Sequence, residues 1–124
     1  MSKTKVLLVD DEVDFATTLA ERLQIRDYEA AAVCCPDEAL ESVKNDPPDV
    51  VLLDLKMPGT DGVEVLKKIK QISPASEVIL LTGHGSEQSA AEWAAVGAFD
   101  YAIKPADIDS IVKKLERAME KRLK

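Results

Sequence analysis

The chain of 124 residues predicts an α/β fold, a parallel sheet sandwiched between helices on both faces. Three observations carry that reading. Short apolar runs recur at Val6-Leu7-Leu8-Val9, Val50-Val51-Leu52-Leu53 and Val78-Ile79-Leu80-Leu81, each too short to be a helix core. A strand that is apolar on both faces belongs in a sheet covered on both sides, because a sheet with one wet face would alternate. Each run also ends abruptly in polar residues, at Asp10-Asp11-Glu12, at Asp54 and at Thr82, with amphipathic stretches of helical spacing in between.

After the first run, Asp14 is placed to cap a helix whose apolar positions Phe15, Leu19 and Leu23 recur every four residues, with Ala16 and Ala20 beside them. The chain returns to the sheet around Tyr28 to Val33. The residues there, Glu29-Ala30-Ala31-Ala32, favour helix, so the strand is demanded by the alternation and not by propensity. Pro36-Asp37-Glu38 opens a short helix with Asp37 as its cap and Ala39, Leu40 and Val43 inward, and Asp46-Pro47-Pro48 breaks it.

The central strand ends in Asp54. A loop dense in turn formers follows, Leu55 to Gly62, and then a helix with Val63, Leu66 and Ile69 on one stripe, closed by Ser73-Pro74. The third run leads through Thr82 into Gly83-His84-Gly85, a loop with wide backbone freedom, and into a helix from about Ser86 to Val96 that Gly97 stops. Phe99-Asp100-Tyr101-Ala102-Ile103 is the last strand, ending in Lys104-Pro105. A final helix from about Ile108 carries Ile108, Ile111, Val112, Leu115 and Met119 inward. Five strands alternating with five helices imply right-handed crossovers and one doubly wound domain, residues 1–124, without repeats or an internal linker.

Composition sets the outer limits. Hydrophobic residues make up 46% and charged residues 31% of the chain, ordinary for a soluble globular protein, and no segment has the length of a membrane span. The N-terminal residues Met1 to Lys5 carry no signal-peptide core, which points to the cytoplasm. Cys34 and Cys35 are adjacent and read as core thiols of a reducing compartment; with the distant His84 they do not make a metal site. A net charge of -7 argues against nucleic-acid binding by the domain itself. Its C-terminal stretch is basic, with Lys113, Lys114, Arg117, Lys121, Arg122 and Lys124 against Glu116 and Glu120. Complementing the dipole of the last helix is one explanation, and a basic partner-binding face is the other.

A parallel sheet brings the tips of its strands to one edge, so Asp10, Asp11, Asp54, Thr82 and Lys104 converge. Carboxylates from neighbouring strands at about 5 Å repel by roughly 3 kcal/mol per pair at an effective dielectric near 20. One ammonium cannot offset three acids. A hard dication with oxygen ligands can, and a shallow site with few carboxylates suits Mg²⁺, or Mn²⁺, better than a calcium cage. With such an ion beside Lys104 and Thr82, an anionic phosphoryl group can approach an anionic nucleophile, and the chemistry predicted is phosphoryl transfer to a carboxylate.

These residues, Val9-Asp10-Asp11, Asp54 with Met57-Pro58-Gly59-Thr60-Asp61-Gly62, Thr82-Gly83, and Tyr101-Ala102-Ile103-Lys104-Pro105, resemble the bacterial two-component response regulator receiver domain over essentially the whole chain. The resemblance implies a flavodoxin-like (βα)5 three-layer sandwich with strand order 2-1-3-4-5. It implies Asp54 as phosphoacceptor, fed by a sensor histidine kinase or histidine phosphotransfer protein. Asp11, Asp54 and the Lys56 carbonyl would ligate Mg²⁺, with Asp10 acting largely through water; Thr82 would hydrogen-bond the phosphoryl group and Lys104 would pair with it. A cis Lys104-Pro105 bond is implied, as is a switch in which Tyr101 follows Thr82 and remodels the face of the fourth helix, fifth strand and fifth helix.

Lys56 and His84 fall where this family tunes dephosphorylation, and Trp93 lies near the output face, as core packing or as partner contact. The domain would catalyse only its own Mg-dependent phosphorylation and dephosphorylation, and would act through a downstream effector protein or domain, or as a homodimer through the output face, without membrane or direct nucleic-acid contact. With no effector segment after the last helix, it reads as a stand-alone receiver or the first domain of a longer regulator. Gly83-His84-Gly85 and Ala98 to Tyr101 look most like receivers that precede transcriptional effectors. Three rivals remain: a haloacid-dehalogenase-like Mg-dependent phosphatase using Asp10-Asp11-Glu12, a flavodoxin-like cofactor binder whose phosphate these acids would repel, and an unphosphorylated receiver-like interaction module.

Overall fold

The computed structural model describes residues 3–57, 59, 61–83 and 87–122. In chain order the elements are β1 (Lys5–Val9), α1 (Val13–Ile25), β2 (Glu29–Val33), α2 (Pro36–Asn45), β3 (Val50–Asp54), α3 (Gly62–Ile72), β4 (Glu77–Thr82), α4 (Glu87–Ala95), β5 (Ala98–Ile103) and α5 (Ile108–Arg122). All five strands are parallel, in the order β2-β1-β3-β4-β5.

The unbroken apolar runs follow from two hydrophobic layers that share the same strands. Successive strand side chains point to opposite faces, so Val6, Leu8, Val50, Leu52, Ile79 and Leu81 join Leu19 and Leu23 of α1 and Ile111 and Leu115 of α5. Their neighbours Leu7, Val9, Val51, Leu53, Val78 and Leu80 join Ala39 and Val43 of α2 and Leu66 and Ile69 of α3. Every residue of β3 is buried, as the central strand of a doubly covered sheet must be. The two edge strands are less covered, with only Ala30 buried in β2 and only Ala102 in β5, and β2 forms through its pairing with β1 although its residues favour helix.

Three local expectations are corrected. α1 starts at Val13 with Glu12 at the cap position, so Asp14 lies inside the first turn, where its charge suits the helix dipole without capping. α2 starts at Pro36, with Cys35 at the cap and Asp37 in the first turn. Cys34 and Cys35 are not core thiols: Cys34 is exposed and Cys35 partly exposed, because the turn from β2 to α2 runs along the rim of the sheet. By contrast Asp61 does cap α3, accepting from the Val63 amide at 3.0 Å.

Candidate functional site

Register determines which side chains meet. Val9 lies beside Leu53, Asp54 beside Leu81, and Thr82 beside Ile103, so the carboxyl ends of β1, β3, β4 and β5 finish at one edge. Asp10 and Asp54 are 1% and 3% exposed there, unusual for carboxylates, and Thr82 with its hydroxyl is 4% exposed beside them; such burial demands partners. Asp10 accepts from the Glu12 amide at 2.9 Å and Asp54 from the Lys56 amide at 3.0 Å, so each acid is held by the loop that follows it. The Lys104 amide donates to the Thr82 carbonyl at 2.7 Å, extending the ladder one step past β5 and aiming the lysine back across the edge. The Lys104-Pro105 peptide is cis.

The Lys104 ammonium ties the edge together. It lies 2.8 Å from Asp10 Oδ2, 2.9 Å from Glu12 Oε1 and 3.5 Å from Asp54 Oδ2, and 4.5 Å from the centre of the Phe15 ring. Burial works to lower its pKa, but the hydrogen bonds it donates to Asp10 and Glu12, with the charges of Asp10 and Asp54, together outweigh burial and raise it, so the ammonium stays charged. Asp54 moves the other way for a carboxylate. Burial raises its pKa, the Lys56 amide pulls it down, the charge of Asp10 raises it again, and the net shift is upward despite Lys104.

The oxygens of Asp10, Glu12 and Asp54 lie within 4.8 Å of one another. Two of these acids are buried and, among the described residues, a single cation, Lys104, pairs with all three, so negative charge is left in excess. Oxygen donors alone, with a carboxylate that resists ionisation because it is buried and faces Asp10, fit a hard dication such as Mg²⁺. Asp11 is exposed and stands outside that gathering, while Glu12 stands inside it. Glu12 is the residue that reading strand tips does not find: only the early start of α1, with Glu12 at its cap position, turns that side chain toward β5. Lys56 is exposed, and its amide is the group that reaches Asp54. His84, together with Pro58 and Thr60, lies outside the described residues.

Behind the edge, Thr82 and Tyr101 share one face of the sheet, since Leu80 pairs with Tyr101 and Thr82 is two residues on from Leu80. Tyr101 is partly buried and meets Trp93 of α4 edge to face, with ring centres 5.4 Å apart and planes at 66°. Trp93 therefore packs inside the domain while keeping part of its surface exposed.

With this geometry in place, comparison with known proteins gives the family. The model described as "Response regulator receiver domain" matches residues 6–116. The chain belongs to that family. It is 38% identical over 114 residues to the transcriptional regulatory protein ZraR of Escherichia coli (strain K12), a match covering 92% of this chain and 26% of that protein. It is 37% identical over 111 residues to the sporulation initiation phosphotransferase F of Bacillus subtilis (strain 168), covering 90% of each. The crystal structure of a response regulator protein from Burkholderia pseudomallei, with a phosphorylated aspartic acid, calcium ion and citrate, aligns with a TM-score of 0.85 at 29% identity, covering 98% of this chain and 72% of that one. The receiver spans about a quarter of the length of the first relative and nearly all of the second. It is a signalling domain of two-component systems, and no helix among the described residues is long and apolar enough to cross a membrane.

Proposed function

We propose that Asp54 is the phosphoacceptor of this receiver and that Lys104, Thr82 and a dication held by the acids around it make the transfer possible. One observation carries the reading: a buried carboxylate at the end of the central strand has an ammonium 3.5 Å away and an excess of negative charge around it. An Asp54 oxygen attacks the phosphorus of a phosphohistidine on a sensor kinase or phosphotransfer protein. The new P–O bond replaces the P–N bond, whose electron pair leaves with the imidazole, which then takes a proton. Asp10 and Asp54, whose oxygens already gather, are the groups that would hold Mg²⁺ together with the Lys56 carbonyl and with Asp11, which would have to turn in from its exposed position; Mn²⁺ could replace the ion, which would neutralise phosphoryl oxygens during transfer. Lys104 supplies the second positive charge and Thr82 a hydroxyl donor. The phosphorylated aspartic acid and calcium ion of the Burkholderia pseudomallei neighbour support the assignment.

Once the phosphoryl group is on Asp54, Thr82 turns toward it and Tyr101, on the same face, follows. Trp93 stands against Tyr101, so the change reaches the surface made by α4, β5 and α5, where an effector or a second copy would read it. Lys56 and His84 would set the lifetime of the phosphorylated state by their access to the attacking water. The domain would thus turn over only its own phosphoryl group, in the cytoplasm where the kinase presents it. The test is mass spectrometry after incubation with acetyl phosphate and Mg²⁺. One added phosphoryl group is expected on the wild type and none on Asp54→Asn, and a phosphoryl group that survives the substitution overturns the reading.

A further inference from the structure

We infer that Glu12 is a positioning residue for Lys104, holding its ammonium on the α1 side of the site and competing with the phosphoryl group for it. The inference rests on the phosphoacceptor reading for its consequence, and on the distances alone for its geometry.

An ammonium has three donors. Lys104 places its nitrogen 2.8 Å from Asp10 and 2.9 Å from Glu12, within hydrogen-bond range, and 3.5 Å from Asp54, beyond it. The Phe15 ring of α1, 4.5 Å away, lies on the same side. The lysine thus rests turned toward the head of α1 and short of the nucleophile. A phosphoryl group on Asp54 brings new anionic oxygens, and Lys104 must swing toward them to pair. The grip of Asp10 weakens when a dication claims that carboxylate. Glu12 gathers with Asp10 and Asp54 within 4.8 Å, but its side chain is 64% exposed and accepts none of the loop amide hydrogen bonds that fix the two buried acids, so it is the acid a dication would hold least. It therefore remains the rival acceptor throughout, and its hold is subtracted from what the phosphoryl group gains from Lys104.

The experiment uses beryllofluoride, a tetrahedral analogue of an acyl-phosphate group, titrated with Mg²⁺ while Trp93 fluorescence is followed. Removing the rival acceptor in Glu12→Gln is expected to tighten binding about threefold, the scale of an exposed ion pair. In a Lys104→Met background the same substitution is expected to do nothing. Equal tightening in both backgrounds would mean that Glu12 acts only as a nearby negative charge, and that overturns the proposal. So does no tightening at all.

A second measurement needs neither metal nor phosphoryl analogue. The ¹⁵Nζ resonance of Lys104 in the metal-free protein is expected to be protected from proton exchange in the wild type and less so in Glu12→Gln. An unchanged resonance in Glu12→Gln sinks the proposal. If the wild type binds no beryllofluoride, it is the phosphoacceptor reading that fails, and the resonance still decides whether Glu12 holds the lysine.

Discussion

At the residue scale, the site stores a cost that the bound ion would relieve. Asp54 has its pKa raised from the ordinary 3.8 chiefly by burial and by Asp10, so the folded chain holds its proton more tightly than the unfolded chain does. By linkage, the stability belonging to the protonated form is fully present below 3.8 and is lost as pH rises through the raised pKa, leaving an ionised Asp54 as a liability at neutrality. Asp54→Asn is neutral at every pH. In metal-free buffer at pH 7 it is expected to raise Tm by about 4 °C, the shift that roughly 1 kcal/mol produces in a domain of this size. That gain should shrink toward zero below pH 3.8 in a thermal denaturation series. Millimolar Mg²⁺ should then stabilise the wild type more than the variant; a destabilised Asn variant in metal-free buffer would contradict the account. Asp10, Asp54, Thr82 and Lys104 were legible in the sequence because each directly ends or follows a strand, and parallel strands bring such ends together whatever the loops do. Glu12 was not, because its place depends on the turn at which α1 begins.

At the scale of elements, what is legible is what repeats. The runs in β1, β3 and β4 declare doubly buried strands, and the stripes of α3 and α5 declare their inner faces, since burial on a fixed period leaves a mark in composition; Val63 is the correction, only partly buried while Val65 joins Leu66 and Ile69 in the core. Caps leave a weaker one. Asp14 and Asp37 satisfy the preference for a capping carboxylate, yet Glu12 and Cys35 take those positions and neither makes a side-chain cap hydrogen bond; the helices start where the rim turns, and packing of Ala16 and Ala39 outweighs the lost cap. Gly62 shows a constraint that sequence conceals entirely. A Cβ there would sit 2.7 Å from Leu55 Cδ2 and 2.8 Å from Leu55 Cα. Side chains can move aside, but the backbone between Asp54 and Lys56 cannot without shifting the Lys56 amide that holds Asp54. Gly62→Ala is expected to cost about 2 kcal/mol in urea denaturation, in the range of an overpacked core, and to slow phosphorylation by acetyl phosphate as well. Unchanged stability would show that the start of α3 gives way more readily than this contact allows.

At the scale of the molecule, charge is divided between two ends of the sheet, and the basic tail belongs to the end opposite the site. Lys121 lies 2.9 Å from Glu77 Oε2, a charge contact without the angle of a hydrogen bond, and Lys70 lies 3.6 Å from the other oxygen. Arg122 pairs with Asp49, which also accepts from the Lys5 amide at 2.8 Å. Glu77 and Asp49 stand at the starts of β4 and β3, so the last turn of α5 is fastened to the rear edge of the sheet. Helix-dipole complementarity and a basic partner face were the two explanations open from composition; intramolecular pairing with a 5% exposed Glu77 adds a third that neither foresaw, because it joins residues far apart in the chain. The two explanations differ from this one in what they require of stability. Replacing Lys121 and Arg122 together by Ala strips a nearly buried carboxylate of its closest cation, and is expected to cost about 1–2 kcal/mol, less in high salt. Phosphorylation of Asp54 by acetyl phosphate should proceed at an unchanged rate, since no group in this network reaches the far edge. A basic surface kept for a partner would leave the stability of the isolated domain where it was, so chemical denaturation at two salt concentrations separates a fastening from a docking face.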